Sequence, residues 1–383
     1  MKKLLSNLKE DARSKKITNL AIAEKISVSE SQVSNWFNLK FKIPFIRFIQ
    51  ITSIIHENDV GKFNKYIMDY SLKITKKESV REACEWFSVN GKHQHLQKMI
   101  KTFKGFDPIV NIYDLYLKRN SKRVHPQDFY IALNRIRAED DEIELLRDIA
   151  ALYAYLDLKS YKMLFLADKI LKDVDMLLNK EKKKPKNKNR KEFLYNAYKV
   201  RVKEILAIAE LKKNNVEYSE ALAMEIIRES KFFPLPVISM YSLLAEINVF
   251  TNYQASLVYI KKALDFCGKL SINDNKNMIN GLKSTHDFIK IHNEDFDQLY
   301  LEDKAELAHF YAMKGERDKS INLLNELEVE RGSLTPHQLY YKALALRDKD
   351  IMELAGQEFS NSGDSYYLKM TRKTLRKWYS SGK

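Results

Sequence analysis

Two amide side chains, Gln32 and Asn35, lie three residues apart near the start of the chain. Residues at this spacing share one face of a helix. A glutamine or asparagine amide both donates and accepts hydrogen bonds, so it can pair with the edge of an adenine base. We therefore predict that Gln32 and Asn35 read base pairs in the major groove of double-stranded DNA. The alternative for each residue is an ordinary solvated helix surface.

A pair of short helices is predicted to present these amides. Thr18 can cap a first helix that ends near Lys25. Its apolar side chains are expected to face a core: Leu20, Ala21, Ala23 and Ile26. Ser29 can cap a second helix over residues 30–38, with Gln32 three residues later as in a capping box.

The second helix divides into a buried face and an exposed face. Val33 and Trp36 share the face expected to be buried. The exposed candidates for DNA contact are Glu30, Ser31, Gln32, Ser34, Asn35 and Asn38. Three further residues are better placed for phosphates, which position a protein without specifying sequence: Ser29, Lys40 and Lys42.

Residues 22–36, "IAEKISVSESQVSNW", resemble the helix-turn-helix of phage repressors and related regulators. Ser27 departs from that pattern, because glycine is usual at this position. The position often takes a left-handed conformation, which costs a serine about 1 kcal/mol. The alternative is a helical hairpin that only resembles the DNA-binding motif.

Positive charge is concentrated in three parts of the chain. The 383 residues include 66 Lys or Arg and 51 Asp or Glu, a formal net charge of +15. Residues 1–50 carry ten basic and four acidic residues, residues 180–191 carry eight and one, and residues 365–383 carry six and none. Basic segments on a mildly acidic remainder favour a polyanionic partner. For the run 180–191 alone, lysines that only aid solubility are the alternative.

Other classes of function find little support in the sequence. Cys84 and Cys267 are far apart and form no CxxC pair, which indicates a reducing cytoplasm. The chain has neither the apolar region of a signal peptide nor an 18-residue apolar run. It also has no nucleotide-binding, metalloprotease or hydrolase motif. His93 and His95 do not share a helical face, and the acidic run 138–144 is expected to be a solvated helix start. We therefore predict no enzyme activity, cofactor, metal site or membrane partner.

The rest of the chain is predicted to form helical repeats. Glycine (10) and proline (7) are scarce, which favours helix throughout. Four segments resemble one another: 214–227, 251–264, 314–327 and 348–359. A spacing of about 34 residues with a helix–turn–helix in each unit is the tetratricopeptide pattern, and a generic α-solenoid is the alternative. We predict an all-α fold in which stacked helical pairs form a superhelix with a concave inner face.

These patterns divide the chain into two predicted domains. Residues 1–55 form a helix-turn-helix DNA-binding domain, and residues 56–383 form a tetratricopeptide-like superhelical domain for peptide binding and dimerisation. The basic run 180–191 contains no apolar residue. It is predicted to be an exposed flexible loop between two parts of the superhelix.

A helix-turn-helix followed by a tetratricopeptide-like solenoid resembles the peptide-sensing regulators of Gram-positive bacteria and their phages. Within that group, most of the chain resembles the arbitrium receptors (AimR) of temperate phages. The resemblance is clearest in "YNAYKVRV" (195–202), "FTNYQASLVYIKKAL" (250–264), "INDNKNMI" (272–279), "AELAHFYAMKGERDKSINLL" (305–324) and "LYYKALAL" (339–346). It implies a transcription regulator that reads a short secreted peptide to choose between lysis and lysogeny.

The resemblance also implies that the peptide lies inside the solenoid. Three residues match peptide contacts of the family: Glu306, Asp364 and Tyr366. A carboxylate at Glu306 would pair with an arginine or the amino terminus of the peptide. Two family asparagines fall on Ile208 and Lys212 here, and Asn248 and Asn252 are proposed to supply substitute amides.

The predicted function is a cytoplasmic transcription regulator that binds promoter DNA and is controlled by a short signalling peptide. A homodimer is expected, because a single helix-turn-helix reads few bases. The residues that form the dimer interface are not predicted. The leucine-rich C-terminal end through which family members dimerise is replaced here by the basic "RKTLRKWYSSGK" (372–383). The alternatives are a host-encoded quorum-sensing regulator of the same architecture and a tetratricopeptide protein-binding scaffold.

Overall fold

The structure is a computed structural model that describes residues 1–184, 191–229, 233–270 and 272–380, and these residues form helices and no strands. The prediction of an all-α fold is confirmed.

The N-terminal helices are α1 (Lys2–Ser14), α2 (Asn19–Lys25), α3 (Glu30–Phe37), α4 (Phe45–Ile55) and α5 (Val60–Ser71). The next are α6 (Lys77–Val89), α7 (His93–Thr102), α8 (Pro108–Asn120), α9 (Pro126–Asn134), α10 (Asp141–Asp157) and, after a 3-10 helix (Tyr161–Phe165), α11 (Leu166–Lys182). The remainder are α12 (Glu192–Lys212), α13 (Val216–Glu229), α14 (Pro234–Asn248), α15 (Tyr253–Gly268), α16 (Ile272–His292), α17 (Lys304–Met313), α18 (Arg317–Arg331), α19 (Pro336–Leu346), α20 (Lys349–Ser362) and α21 (Ser365–Ser380).

The four predicted repeat segments form the second helices of helical hairpins. They correspond to α13, α15, α18 and α20, each preceded across a short turn by α12, α14, α17 or α19. Three of the second helices carry a buried serine whose hydroxyl donates to a carbonyl of the first helix: Ser219 to Ala207 (2.7 Å), Ser256 to Ala245 (2.7 Å) and Ser320 to Ala308 (2.9 Å). Buried Met352 takes the corresponding position in α20. The long helix α16 lies between the second and the third of these segments.

The N-terminal helices share one hydrophobic core with the solenoid. Phe45, the first residue of α4, lies with its ring centroid 6.2 Å from that of Trp86 and 5.9 Å from that of Phe87 on α6. The carboxylate of Glu82 on α6 also accepts the backbone N–H of Ile46 at 3.4 Å. The predicted boundary at residues 55 and 56 therefore follows a helix that packs on the second predicted domain.

The basic run 180–191 is helical where it begins. Helix α11 continues to Lys182, and Glu181 within it is buried. Glu181 accepts the backbone N–H of Lys191 at 3.1 Å, while the ammonium group of Lys191 pairs with Glu142. The prediction of an exposed flexible loop is therefore wrong for residues 180–182 and 191, because a buried carboxylate holds both ends of the run together. Residues 185–190 lie outside the described residues.

The acidic run 138–144 begins a helix as predicted, but it is only partly solvated. Asp140 caps α10 by accepting the N–H groups of Glu142 and Ile143, both at 3.1 Å. Glu142 itself is buried, and Arg81 on α6 donates to it at 2.8 Å. The sequence prediction is wrong for Glu142, because its cationic partner lies sixty-one residues earlier in the chain.

A long-range clasp joins the start of α16 to the first helices of the solenoid; it comprises residues 91–94, Asn120 and residues 274–277. Nδ1 of His93 lies 2.6 Å from the carbonyl oxygen of Asp274, and the amide of Asn277 donates to the carbonyl of Asn120 at 2.7 Å. The amide of Asn275 donates to the carbonyl of Gly91 at 3.1 Å. Asn275 interrupts α16 with non-helical dihedral angles (φ −121°, ψ 20°), which places its buried side chain against the α6–α7 turn.

Replacing Gly91 by Ala is expected to lower the free energy of unfolding by about 2 kcal/mol. Gly91 has φ +64°, and a Cβ atom there would lie 2.7 Å from Oδ1 of Asn275. Gly332→Ala is the matched control, because Gly332 also has positive φ but a Cβ there would meet no atom within 4 Å. Chemical denaturation of the two variants should show the larger loss for Gly91→Ala. Equal losses would mean that the clasp tolerates the added methyl group.

Candidate functional site

The two helices of the predicted motif are present, and Thr18 and Ser29 cap them as predicted. Oγ1 of Thr18 accepts the N–H of Ala21 at 3.1 Å at the start of α2. Oγ of Ser29 accepts the N–H of Gln32 at 3.2 Å at the start of α3. Ser27 has φ +53°, so the turn between the helices takes the left-handed conformation that the motif predicted.

Packing within the motif follows the prediction except at Leu20 and, in part, at Ala21, which is only half-buried. Val33 and Trp36 are buried on α3, as predicted. On α2 the buried positions include Ile22 and Ala23, whereas Leu20 is 50% exposed. The prediction for Leu20 is wrong, because a rotation of 100° per residue places it more than 90° away from the centre of the buried stripe, which lies between Ile22 and Ala23.

The residues predicted to contact DNA lie on α3 or within five residues of its ends. Exposed side chains are Ser29, Glu30, Ser31, Asn38, Lys40 and Lys42, and partly exposed ones are Gln32, Ser34 and Asn35. Within the described part of the chain, the amides of Gln32 and Asn35 make no side-chain hydrogen bond, which leaves them available for an external partner. Asn38 is held instead: its amide oxygen accepts from Lys9 at 3.2 Å, and its amide nitrogen donates to Ser34 at 3.3 Å. Lys42 donates to Thr75 at 2.5 Å.

The predicted peptide contact Glu306 lies in a buried polar cluster. The hydroxyl of Tyr341 donates to Glu306 at 2.8 Å, and Nδ1 of His309 lies 3.2 Å from the other carboxylate oxygen. The rings of His309 and Tyr341 stack at 4.1 Å. Burial raises the pKa of Glu306 well above its usual range, which favours the protonated acid in the free protein.

Asp364 is engaged by a lysine that the sequence assigned no role in binding. The ammonium group of Lys212 on α12 lies 3.1 Å from the Asp364 carboxylate and 4.5 Å from the ring centroid of Tyr367. Burial lowers the pKa of Lys212, but the nearby carboxylates of Asp364 and Glu246 outweigh this effect and raise it overall. Asp364 also accepts the N–H of Tyr367 at 3.1 Å. The lysine at this family asparagine position therefore neutralises a predicted contact residue.

The other predicted peptide contacts have partners on their own helices or nearby backbone. The hydroxyl of Tyr366 donates to the carbonyl of Glu246 at 2.8 Å. The Asn248 amide donates to the carbonyl of Leu244 at 2.8 Å. Asn252 caps α15 by accepting the N–H of Ala255 at 3.1 Å. The structure thus gives Asn248 and Asn252 local structural roles.

An aromatic and histidine cluster joins Glu306 to Asp364. Its rings come from α16, α17, α19, α20 and α21, and they are Phe288, His292, His309, His337, Tyr341, Phe359 and Tyr367. The ring centroids of Phe288 and His309 are 5.8 Å apart, and those of His337 and Tyr367 are 4.6 Å apart. Sequence reasoning missed the histidines, because they are scattered along the chain and only the stacking of repeats brings them together.

The histidine cluster predicts that acid destabilises the protein. Burial, with help from His309 and Lys373, lowers the pKa of His292 from 6.5 to about 4. The unfolded chain therefore binds this proton first, and stability is lost as the pH falls from 6.5 towards 4. At pH 5 the loss from His292 is about 2 kcal/mol relative to neutral pH. Melting temperatures of the wild type and His292→Phe at pH 7.5 and pH 5 should show a smaller decrease for the variant. Parallel decreases would assign the acid sensitivity to other groups.

These features define a class of helical-repeat proteins that carry an N-terminal helix-turn-helix. More particularly, residues 64–377 match the AimR transcriptional regulator-like family, and the chain therefore belongs to that family. The match confirms the resemblance on which the sequence analysis relied. The family is one of transcriptional regulators and not of enzymes. No helix among the described residues is long and apolar enough to cross a membrane.

The chain is also similar to an individual relative and to solved structures. An uncharacterized protein of Bacillus anthracis is 29% identical over 244 residues, which are 61% of this chain and 84% of the relative. A solved structure of phAimR with a ligand has a TM-score of 0.72 at 17% identity, covering 85% of this chain and 96% of that one. A selenomethionine phAimR structure has a TM-score of 0.60 at 16% identity, covering 98% and 97%. At these identities the structures establish the fold.

Proposed function

We propose that this protein is a DNA-binding transcription regulator whose activity is set by a short secreted peptide, and that it acts as an arbitrium receptor in the lysis–lysogeny decision of a phage. The observation that carries the proposal is the combination of AimR-like residues 64–377 with a capped helix-turn-helix whose Gln32 and Asn35 amides face outward. The helix α3 enters the major groove, while Lys40 and Lys42 lie near phosphates.

In this proposal the peptide binds beside the Glu306 and Asp364 carboxylates. Because burial raises the pKa of Glu306, the pairing of its ionised carboxylate with a peptide cation is coupled to the release of a proton. Peptide affinity should therefore rise with pH until Glu306 is ionised in the free protein. Glu306→Gln keeps an acceptor for Tyr341 but cannot ionise, so it should remove this pH dependence.

A continuous series of packed elements supports communication from the peptide to the DNA. Helix α12 carries Lys212, which pairs with Asp364, and Arg201, which pairs with Glu85 on α6 at 2.7 Å. Helix α6 in turn packs on Phe45 of α4. A peptide with different affinity for two positions of α12 would shift α6 and the DNA-binding helices with it.

Two DNA-binding surfaces are proposed to act together in a homodimer, because one helix-turn-helix makes few base contacts. Analytical ultracentrifugation of the protein alone and with operator DNA measures this directly. A complex with one protein chain per operator would contradict the proposal.

The experiment that tests the function is a titration of promoter DNA with purified protein, with and without synthetic peptides encoded beside the gene. We expect specific DNA binding that one peptide alters. Specific binding that no peptide alters would leave a DNA-binding regulator and overturn the arbitrium role. A peptide gene outside any phage region would favour the host quorum-sensing alternative.

A further inference from the structure

A cavity of about 370 Å³ with mixed polar and apolar walls lies next to the clasp. Its walls come from α6, α7, α8, α10, α12 and α14, and residues 274–278 at the start of α16 complete them. The cavity therefore lies where two parts of the solenoid far apart in sequence meet. None of the residues that the sequence analysis assigned to peptide or DNA lines it.

Two side chains in this cavity, Glu204 and Tyr116, have unused capacity to accept hydrogen bonds. Glu204 accepts the hydroxyl of Tyr153 at 2.9 Å, and within the described chain its carboxylate has no cationic partner. The hydroxyl of Tyr116, whose side chain is 2% exposed, has no hydrogen-bond partner among the described residues. A carboxylate beside an unpartnered, buried hydroxyl favours a ligand that donates hydrogen bonds.

His93 adds a third acceptor. Burial lowers the pKa of His93, so its ring is neutral near pH 7. Since Nδ1 faces the carbonyl oxygen of Asp274 at 2.6 Å, Nδ1 carries the proton and donates it to that carbonyl. Nε2 is then a bare acceptor, and it is buried without a partner among the described residues.

The cationic side chains of the cavity do not oppose a cationic ligand, because the buried ones are already neutralised. Arg201 is paired with Glu85 through two nitrogens at 2.7 and 3.2 Å. Arg119 is paired with Asp157 at 2.6 and 2.8 Å. The remaining charges are exposed Arg123 and Lys276 and the half-buried Asp274, whose carboxylate accepts the N–H of Gln94 at 3.1 Å. Glu204 is therefore the carboxylate of this cavity whose charge a ligand can balance.

We propose that this cavity binds a guanidinium group of the signalling peptide against the Glu204 carboxylate, with Tyr116 and His93 as further acceptors. This inference rests on the proposed peptide-receptor function. It adds a subsite separate from Glu306 and Asp364. Since residues 274–277 form one wall, a bound cation favours the conformation in which the clasp is closed.

L-argininamide is a probe for this subsite that does not require the cognate peptide. Its analogue L-citrullinamide has nearly the same shape and the same α-amino group but no guanidinium charge, so it tests whether the guanidinium charge is needed. We expect the full-length protein to bind L-argininamide in isothermal titration calorimetry at concentrations up to about 10 mM, the range for a fragment-sized ligand. L-citrullinamide should bind at least about tenfold more weakly.

Variants assign the binding to the cavity. Glu204→Gln keeps an acceptor for Tyr153 but removes the charge, and we expect at least about tenfold weaker binding of L-argininamide. Tyr116→Phe removes one hydroxyl and should weaken binding by a smaller factor. Glu217→Gln, an exposed carboxylate on α13, is the control and should bind as the wild type does. Melting temperatures of all three variants report whether the fold is intact.

The outcomes separate this proposal from the proposed function. No binding of L-argininamide, equal binding of L-citrullinamide, or undiminished binding by a folded Glu204→Gln variant would each overturn the subsite. If L-argininamide binds but no peptide changes the affinity for DNA, the receptor function would be overturned and the cation site would remain. If Glu204→Gln unfolds, Tyr116→Phe and the citrulline comparison still decide.

Discussion

Replacement of Arg201 by Met is expected to lower the free energy of unfolding by about 3–5 kcal/mol. Arg201 and Glu85 are both buried, and Arg201 donates to Glu85 at 2.7 and 3.2 Å and to the hydroxyl of Ser88 at 2.8 Å. Removing the guanidinium leaves the Glu85 carboxylate, which is 0% exposed, without its cation. The remaining donor, the hydroxyl of Tyr113 at 2.6 Å, cannot balance a full charge. Urea denaturation followed by circular dichroism measures the loss.

Two further variants show whether the unpaired charge is the cause. Lys304 pairs with Glu326 and Glu330 at the surface, at 3.2 and 2.6 Å, so Lys304→Met should lower the stability far less than Arg201→Met does. The double variant Arg201→Met, Glu85→Gln removes both charges and should recover a large part of the stability lost in Arg201→Met. A double variant as unstable as the single one would mean that lost packing around Arg201, and not the unpaired carboxylate, causes the effect.

Local patterns in the sequence were sufficient to predict the helix-turn-helix. The caps at Thr18 and Ser29, the left-handed turn at Ser27 and the buried pair Val33 and Trp36 all depend on residues within a few positions of one another. Short-range hydrogen bonds and helical periodicity determine such features. The exposure of Leu20 was mispredicted because α2 has only seven residues. In so short a helix, a small error in locating the buried face assigns an exposed residue to the core.

The repeats were predicted for a similar reason. Each second helix must bury one face on its own first helix, so the same apolar spacing recurs in the sequence. The recurring serines at 219, 256 and 320 follow this rule, because each hydroxyl reaches a carbonyl eleven or twelve residues earlier.

Contacts between distant parts of the chain could not be predicted in this way. Arg201 and Glu85 are 116 residues apart, and Asn275 and Gly91 are 184 apart. In the sequence, each of these side chains resembles the many solvated charges and amides around it. The cavity near Glu204 depends on the same long-range packing. The peptide contacts were inferred from resemblance, and the engagement of Asp364 by Lys212 became visible only once α12 and α21 were placed side by side.

The double variant Gln32→Ala, Asn35→Ala is expected to weaken specific operator binding by about 100-fold or more, since each lost base contact costs about 1–3 kcal/mol. Binding to unrelated DNA should change little, because phosphate contacts from Lys40, Lys42 and other basic side chains remain. Neither amide makes a side-chain hydrogen bond within the described residues, so the fold should be unaffected.

Electrophoretic mobility shifts at several salt concentrations measure both kinds of binding for this variant. Asn111→Ala, which removes an exposed amide on α8 far along the chain from the motif, is the control and should bind operator as the wild type does. The slope of affinity against salt should be the same in all three proteins, because no phosphate contact is removed. A double variant that keeps its specific affinity would place base reading on other residues. A wild-type protein that binds every DNA equally would favour the scaffold alternative, because α2 and α3 would then be a helical hairpin without sequence recognition.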